Sequence, residues 1–177
     1  MTLLIELEPA EMGASSAFSN HAEPTIISVT SASFSCPKSC PLEIQTPLTT
    51  RINFNPVDSV IHEGSLQAVT AFEYLIGANL DEEQSEAIIR IECVLSAIYQ
   101  LAPDYAPNDF EQESFHKANV VFNCWPFFRE FVLSACSRMN IPSPPVPFLR
   151  VAAKQAEKPK VTKSPVRPAK RVSRKRL

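Results

Sequence analysis

Val121-Phe122-Asn123-Cys124-Trp125-Pro126-Phe127-Phe128-Arg129-Glu130-Phe131-Val132 is the stretch on which the reading of this chain turns. It sets aromatic rings and a proline beside a single Arg-Glu pair. Pro126 suits the first turn of a helix, where its missing N–H costs nothing. The pattern predicts that helix as far as Arg138 or Met139, with basic Arg138 near its carboxyl end and Asn140 at the C-cap. Phe128, Val132 and Ala135 fall on one stripe, as a helix packed on a core requires. Pro142, Pro144, Pro145 and Pro147 follow, too many for a helix or a central strand, so Ile141 to Pro147 reads as an exposed polyproline-like loop. Phe148 to Ala156 is read as a last short helix.

Upstream, Pro103 and Pro107 precede Asn108 and Asp109, either of which can cap a short helix running to about Asn119. Glu111, Gln112 and Glu113 occupy its first turn, where the macrodipole favours acids. Before it the period changes to two. From Ala87 to Leu101 one face reads Ala87, Ile89, Ile91, Cys93, Leu95, Ala97, Tyr99, Leu101 without a polar residue. A strand of that length spans roughly 50 Å, beyond the usual range, and a long amphipathic helix competes with it. Unbroken alternation and β-branched residues favour the strand. Three more strands are predicted: Ile26 to Phe34, ended by Cys36-Pro37-Lys38-Ser39-Cys40-Pro41; Leu48 to Phe54, closed by Asn55-Pro56; and Ser65 to Ile76, turning at Gly77-Ala78-Asn79 and Asp81 to Glu83. Residues 1–23 show little periodicity and are expected to be poorly ordered, although Leu3, Leu4, Ile5 and Leu7 suffice for a small attached element.

The net charge of −2 over 177 residues conceals an asymmetry. Residues 1–149 hold 6 Lys/Arg against 18 Asp/Glu; residues 150–177 hold 11 Lys/Arg against Glu157 alone. The basic tail suits nonspecific contact with nucleic acid through counterion release, a counter-charge to the acidic part, or plain solvation. Without interleaved aromatics it is not built to stack on single strands. No apolar run reaches the length of a membrane helix. Glu6, Glu8 and Glu11 with no basic residue exclude a secretory signal at the start, so a cytoplasmic location is expected.

Only Gly13, Gly64 and Gly77 are present, so there is no glycine-rich phosphate loop, and no metal motif or nucleophile elbow. Five cysteines without a CxxC read as reduced thiols. Cys36 and Cys40 make at most half a metal site, and Cys124 with His116 is a weak nucleophile–base signal. No enzyme, cofactor or metal is expected.

The order of four strands, short helix, Trp125-Pro126-Phe127-Phe128-Arg129-Glu130 and Pro-rich loop resembles the SecB-like proteins, the export chaperone family. The hexapeptide is similar to that family's aromatic-Pro-(Tyr/Phe)-x-Arg-Glu signature. Ser137-Arg138-Met139-Asn140-Ile141-Pro142, ending in Pro145-Val146-Pro147-Phe148, is similar to its following loop. The likeness covers residues 25 to 150, and its specific part is 115 to 148. It implies an α+β subunit with a four-stranded antiparallel sheet and helices packed on one face. It further implies assembly as a dimer of dimers with the helices between the sheets, and ATP-independent holding of unfolded or pre-export polypeptides in apolar grooves. Some members are dedicated to one client, such as an antitoxin. The family's link to the translocation motor involves an acidic surface and a short, non-basic C-terminus, so the basic tail sets that coupling in question. On this reading 1–24 is a flexible extension, 25–156 the SecB-like domain and 157–177 a disordered tail. The competing class is a nucleic-acid-associated adaptor acting through that tail.

A holdase needs exposed apolar and aromatic surface with adaptable contact area. Trp125, Phe127, Phe128, Ile141, Pro142, Pro145 and Phe148 are the candidates, with Phe72 and Tyr74 behind them and Tyr99 weaker still. Each ring is also readable as ordinary core, and for any single one that reading comes first. Pro126, Arg129 and Glu130 are assigned structural parts, Arg129 as a forked partner for a carboxylate across the helix or a subunit interface.

Overall fold

Ile89, Ile91, Cys93, Leu95, Ala97, Tyr99 and Leu101 are all buried. Such a face exists only if neighbouring strands flank this one and a second layer covers it. The computed structural model describes residues 2–36, 48–77, 80, 87–142 and 145–154 and contains both. In chain order the elements are β1 (Thr2–Leu7), α1 (Pro9–Ser19), β2 (Ala22–Ser35), β3 (Thr49–His62), β4 (Ser65–Gly77) and β5 (Ile89–Leu101). After them come α2 (Asp109–Phe115), α3 (Val121–Arg138) and β6 (Phe148–Ala153). The main sheet is antiparallel throughout, in the order β2-β5-β4-β3. This is the α+β architecture with a four-stranded antiparallel sheet that the sequence predicts.

The register explains the core. Leu66, Ala68, Thr70, Phe72, Tyr74 and Ile76 of β4 stand opposite Tyr99, Ala97, Leu95, Cys93, Ile91 and Ile89, and all are buried. α3 packs on β4 and β5, with Phe128 stacked on Phe72 at 4.9 Å between ring centroids and Trp125 edge-on at 6.2 Å. Phe18 of α1 stacks on Phe115 at 4.3 Å, and Phe115 meets Tyr99 edge-on. The competing long helix over Ala87 to Leu101 is therefore absent. Its alternation was that of a strand.

Several boundaries differ from expectation. The stretch 1–23 is not an unstructured leader among its described residues. β1 pairs in parallel with β6 from Thr2↔Phe148 to Leu7↔Ala153, and Phe18 is fully buried. Glu8 and Glu11 cap α1 reciprocally, a device of carboxylates at a helix start that composition alone hides. Phe148 to Ala153, read as a helix, is a strand because β1 supplies its ladder. β3 runs on through Pro56, where the register shifts between Pro56 and Asp58. An edge strand tolerates this, since the lost N–H faces no neighbour.

Of the two candidates Asn108 and Asp109, Asn108 caps α2, its side chain accepting from the Glu111 N–H at 2.9 Å while the Glu111 carboxylate accepts from the Asn108 N–H at 3.0 Å. The helix does not stop near Asn119. A π turn, His116–Val120, joins α2 to α3, so Pro126 lies inside α3 rather than in the first turn of a new helix. Phe122, whose carbonyl the missing Pro126 N–H would have served, is on the exposed side with Pro126, where water can satisfy it. α3 ends at Arg138. Asn140 then takes a left-handed φ of 54°, and the Ile141 N–H returns to the Cys136 carbonyl at 3.1 Å, a closure that Asn accommodates. Glu63 (φ 48°) and Gly64 (φ 72°) form the tight β3–β4 turn. The Cys36–Pro41 breaker beyond Cys36, the Asp81–Glu83 turn, Ser143, Pro144 and the 157–177 tail lie outside the described residues.

His116 is 3% exposed and its Nε2 lies 3.0 Å from the Thr70 hydroxyl. Burial pushes its pKa down from 6.5 to about 4. The folded state thus keeps the ring neutral where the unfolded chain would protonate it. Its contribution is complete above pH 6.5 and is lost as pH falls towards 4. Urea unfolding from pH 7 down to 4 should show a stability loss, of which up to ~3 kcal/mol disappears in His116→Gln.

Candidate functional site

The helix of the signature segment divides its rings between two environments. Trp125 and Phe128 face the sheet and are buried, whereas Phe127 is 44% exposed and Pro126 and Glu130 are open to solvent. The indole Nε1–H of Trp125 donates to the Pro147 carbonyl at 3.1 Å. This meets the need of a buried indole for an acceptor and pins the Pro-rich loop to α3. The pin positions the rest. Val146 and Pro147 are buried beneath it, Ile141 is half-buried, and Pro142, Pro145 and Phe148 stand outside, Phe148 at 67% exposure.

The structure therefore separates the candidate residues. Phe127, Pro142, Pro145 and Phe148 form open surface, with Ile141 at its margin. Trp125, Phe128, Phe72, Tyr74 and Tyr99 belong to the hydrophobic core. Arg129 has no carboxylate partner among the described residues, so the fork expected across the helix is not found there. Its guanidinium instead lies 4.8 Å from the Phe148 ring centroid, a cation–π contact favoured by the negative face of the ring. Glu130 makes no ion pair among the described residues.

Further open apolar surface lies where sequence reasoning did not look. Val29 (52% exposed) and Phe34 (47%) of β2 stand opposite Leu95 and Ile91, so they point to the helix side of the sheet. β2 is an edge strand, and α3 covers β4 and β5. Phe122 and Leu133 of α3 are likewise exposed. The available signal was the absence of charge from Thr25 to Cys36, unusual for an edge, which natural sheets commonly guard with charges.

The opposite face of the sheet is mixed, with Ile26 and Val60 exposed on its edge strands and charged residues at its centre. A depression of about 500 Å³ holds Glu73 and Glu92, directly opposed across β4 and β5. Arg90 sits between them at 2.9 and 3.6 Å, Asn53 donates to Glu73 at 2.7 Å and Ser33 to Glu92 at 2.8 Å. The like charges are thus satisfied within the chain. Among the described residues no cysteine or histidine is activated. Burial pushes the Cys93 and Cys124 thiols up to about 11 and about 12, the reverse of a nucleophile, and Thr70 occupies His116 Nε2. Among the described residues no cluster of His, Cys, Asp or Glu could hold a metal ion, and no helix is long and apolar enough to cross a membrane.

A four-stranded antiparallel sheet carrying a long helix on one face is the subunit fold of the SecB-like chaperones. Among solved structures, the chain is similar to the Mycobacterium tuberculosis SecB-like chaperone Rv1957, determined in complex with a ChAD peptide from the HigA1 antitoxin Rv1956. The TM-score is 0.66 at 14% identity, over 79% of this chain and 99% of that one. The resemblance read in the sequence is therefore matched in three dimensions, as a likeness of fold. A Streptococcus agalactiae protein of unknown function aligns at a TM-score of 0.38 and 11% identity, over 72% of this chain and 97% of that one, which carries no argument. No protein-family profile and no curated protein matches the chain by sequence.

The division of the rings is measurable. Phe128→Ala should lower the unfolding free energy by about 3–5 kcal/mol, whereas Phe127→Ala should change it by under ~1 kcal/mol, both read from denaturant midpoints.

Proposed function

We propose that this protein is an ATP-independent holdase that keeps unfolded polypeptides from aggregating by lodging their apolar segments on open aromatic surface. The observation that carries the reading is the pairing of a SecB-like fold with unburied apolar side chains, Phe127 and Phe148 foremost. Large exposed apolar area on a protein of this size marks an interaction surface, and rings supply contact without demanding one sequence. The solved neighbour's complex with an antitoxin-derived peptide supports polypeptide as the ligand class. It equally supports a dedicated client over a general role in export. No enzymatic activity is assigned, and the location proposed is the cytoplasm.

Self-association belongs to the same reading. β2 offers a fourteen-residue edge with no charge between Thr25 and Cys36, and the outer side of α3 carries Phe122 and Leu133. Pairing of subunits through such surfaces, in a dimer of dimers, would leave less apolar area in water than a lone subunit does. The basic tail is an accessory in this scheme, and nucleic-acid contact through it is the competing function.

Aggregation of a reduced, unfolded client should be suppressed without ATP, and deletion of 157–177 should leave that suppression intact. The double substitution Phe127→Ser with Phe148→Ser should reduce it several-fold while the denaturation midpoint stays close to the parent's. Suppression that disappears with the tail, accompanied by salt-sensitive binding of nucleic acid, would replace the holdase by the adaptor. Light scattering should give the mass of about four subunits.

A further inference from the structure

β6 ends beside the start of α1. Leu7 and Ala153 are the last pair of the β1–β6 ladder, and the Lys154 N–H donates to the Leu7 carbonyl at 2.7 Å. Glu8, the residue after Leu7, takes the Lys154 ammonium at 2.7 Å. Glu11, in the first turn of α1, lies close enough to feel the charge of Lys154. It also shares Lys117 with Glu113 of α2, at 3.3 and 2.9 Å. Beyond Glu113 the surface sinks into a depression of about 530 Å³ between α2 and the bulged part of β3, with Asp58 and Asp109 on its lining. A line of carboxylates therefore runs from the end of β6 across α1 and α2 to β3.

Glu8, Glu11, Asp58, Asp109 and Glu113 share only Lys117 and Lys154 as ionic partners, and Asp58 and Asp109 enter no ion pair among the described residues. His116, which also lines the depression, is held neutral by burial and brings no cation. The missing counter-charge stands next in the chain. Residues 155–177 hold nine Lys/Arg against Glu157, and they follow directly on Lys154, the ammonium already seated on Glu8. Lys158, Lys160 and Lys163 come four, six and nine residues later, a reach of about 13, 20 and 30 Å of extended chain. A proline between Lys158 and Lys160 favours extended backbone, on which residues two apart share a face.

We infer that the basic segment 155–177 docks on this carboxylate line of its own chain, with the lysines nearest β6 taking Asp58, Asp109 and Glu113. One exposed ion pair contributes under about 1 kcal/mol. Several in one tethered segment act together, at an effective concentration on the order of millimolar. The docked segment withholds its charge from other polyanions, so nucleic-acid contact through it is restrained from within the chain. The line starts at the opposite end of β6 from Phe148 and ends at β3, the sheet edge opposite β2. It leaves the open rings and the edge assigned to self-association uncovered, and the inference is independent of the holding function.

The test uses the full chain. A carbodiimide, which condenses a lysine amine with a carboxylate, should link Lys158, Lys160 or Lys163 to Asp58, Asp109 or Glu113, read by mass mapping of the peptides. The links should form at low salt and disappear at high salt. In a mixture of isotopically light and heavy copies, each linked pair should be wholly light or wholly heavy. Anisotropy with a fluorescent single-stranded oligonucleotide measures the restraint. The triple variant Asp58→Asn, Asp109→Asn, Glu113→Gln should bind it about fivefold tighter than the parent, because its segment is released. Glu23→Gln, Glu63→Gln, Glu130→Gln removes the same charge from exposed positions off the line, and should tighten binding by less than about twofold, through weaker general repulsion alone. Links scattered over carboxylates without preference for the line overturn the inference. Links joining light to heavy copies overturn it too, and assign the segment to a second copy. Equal tightening by the two triple variants also overturns it, since general repulsion then accounts for the whole effect.

Discussion

The seating of α3 on the centre of the sheet is the constraint on which the rest of the fold depends. Phe128 stacks on Phe72, and Trp125 meets both rings. These contacts fix where the helix lies across β4 and β5. The Trp125 indole, thus held, reaches the Pro147 carbonyl and brings the Pro-rich loop down onto α3. From that point the chain can only leave along the helix flank, where it enters β6 and finds β1. A change of rotation in α3 would move the loop, the strand and the exposed Phe148 together. Aromatic stacking contributes about 1 kcal/mol beyond burial, so the geometry is held mainly by the apolar area the rings remove from water.

The same seating decides what remains open. A helix about 10 Å wide covers two strands spaced about 4.8 Å apart, and β4 and β5 are those two. β2 and β3 lie beyond it. Val29 and Phe34 consequently face the covered side of the sheet without being covered, and among the described residues no layer covers the outer stripe of α3. Exposure at these positions follows from the count of strands against the width of one helix. It makes the open apolar surface a property of the architecture, with individual side chains only choosing its chemistry.

Much of the fold was legible in the residues. Each predicted strand appears, because a half-covered sheet imposes a period of two, and β5 shows that period without interruption. Asn108 was readable as one of two cap candidates for a local reason, since a cap and the N–H it satisfies lie within four residues. The failures are equally physical. β1 and β6 sit about 140 residues apart in the chain, and neither carries a strand signal strong enough to stand without the other, so one was read as a loose leader and the other as a helix. Pro126 was placed at a helix start because nothing local reveals the π turn, whose existence depends on what His116 and Val120 pack against. In the candidate site the reading named the right segment but could not sort it: Phe127 and Phe128 are adjacent and chemically identical, and a rotation of 100° separates surface from core.

By itself, the sequence determined the α+β class, the faces of the four long strands, the helix of the Trp125–Glu130 segment, and the imbalance of charge between the two parts of the chain. All of these arise from spacings within a few residues or from composition. The tertiary structure alone decided that β2 is an edge, that Trp125 holds the loop, that Arg129 lies over Phe148, and which rings meet water. Those depend on contacts between segments distant in sequence, where the energy gained by burial is shared among many side chains and no single residue announces its partner.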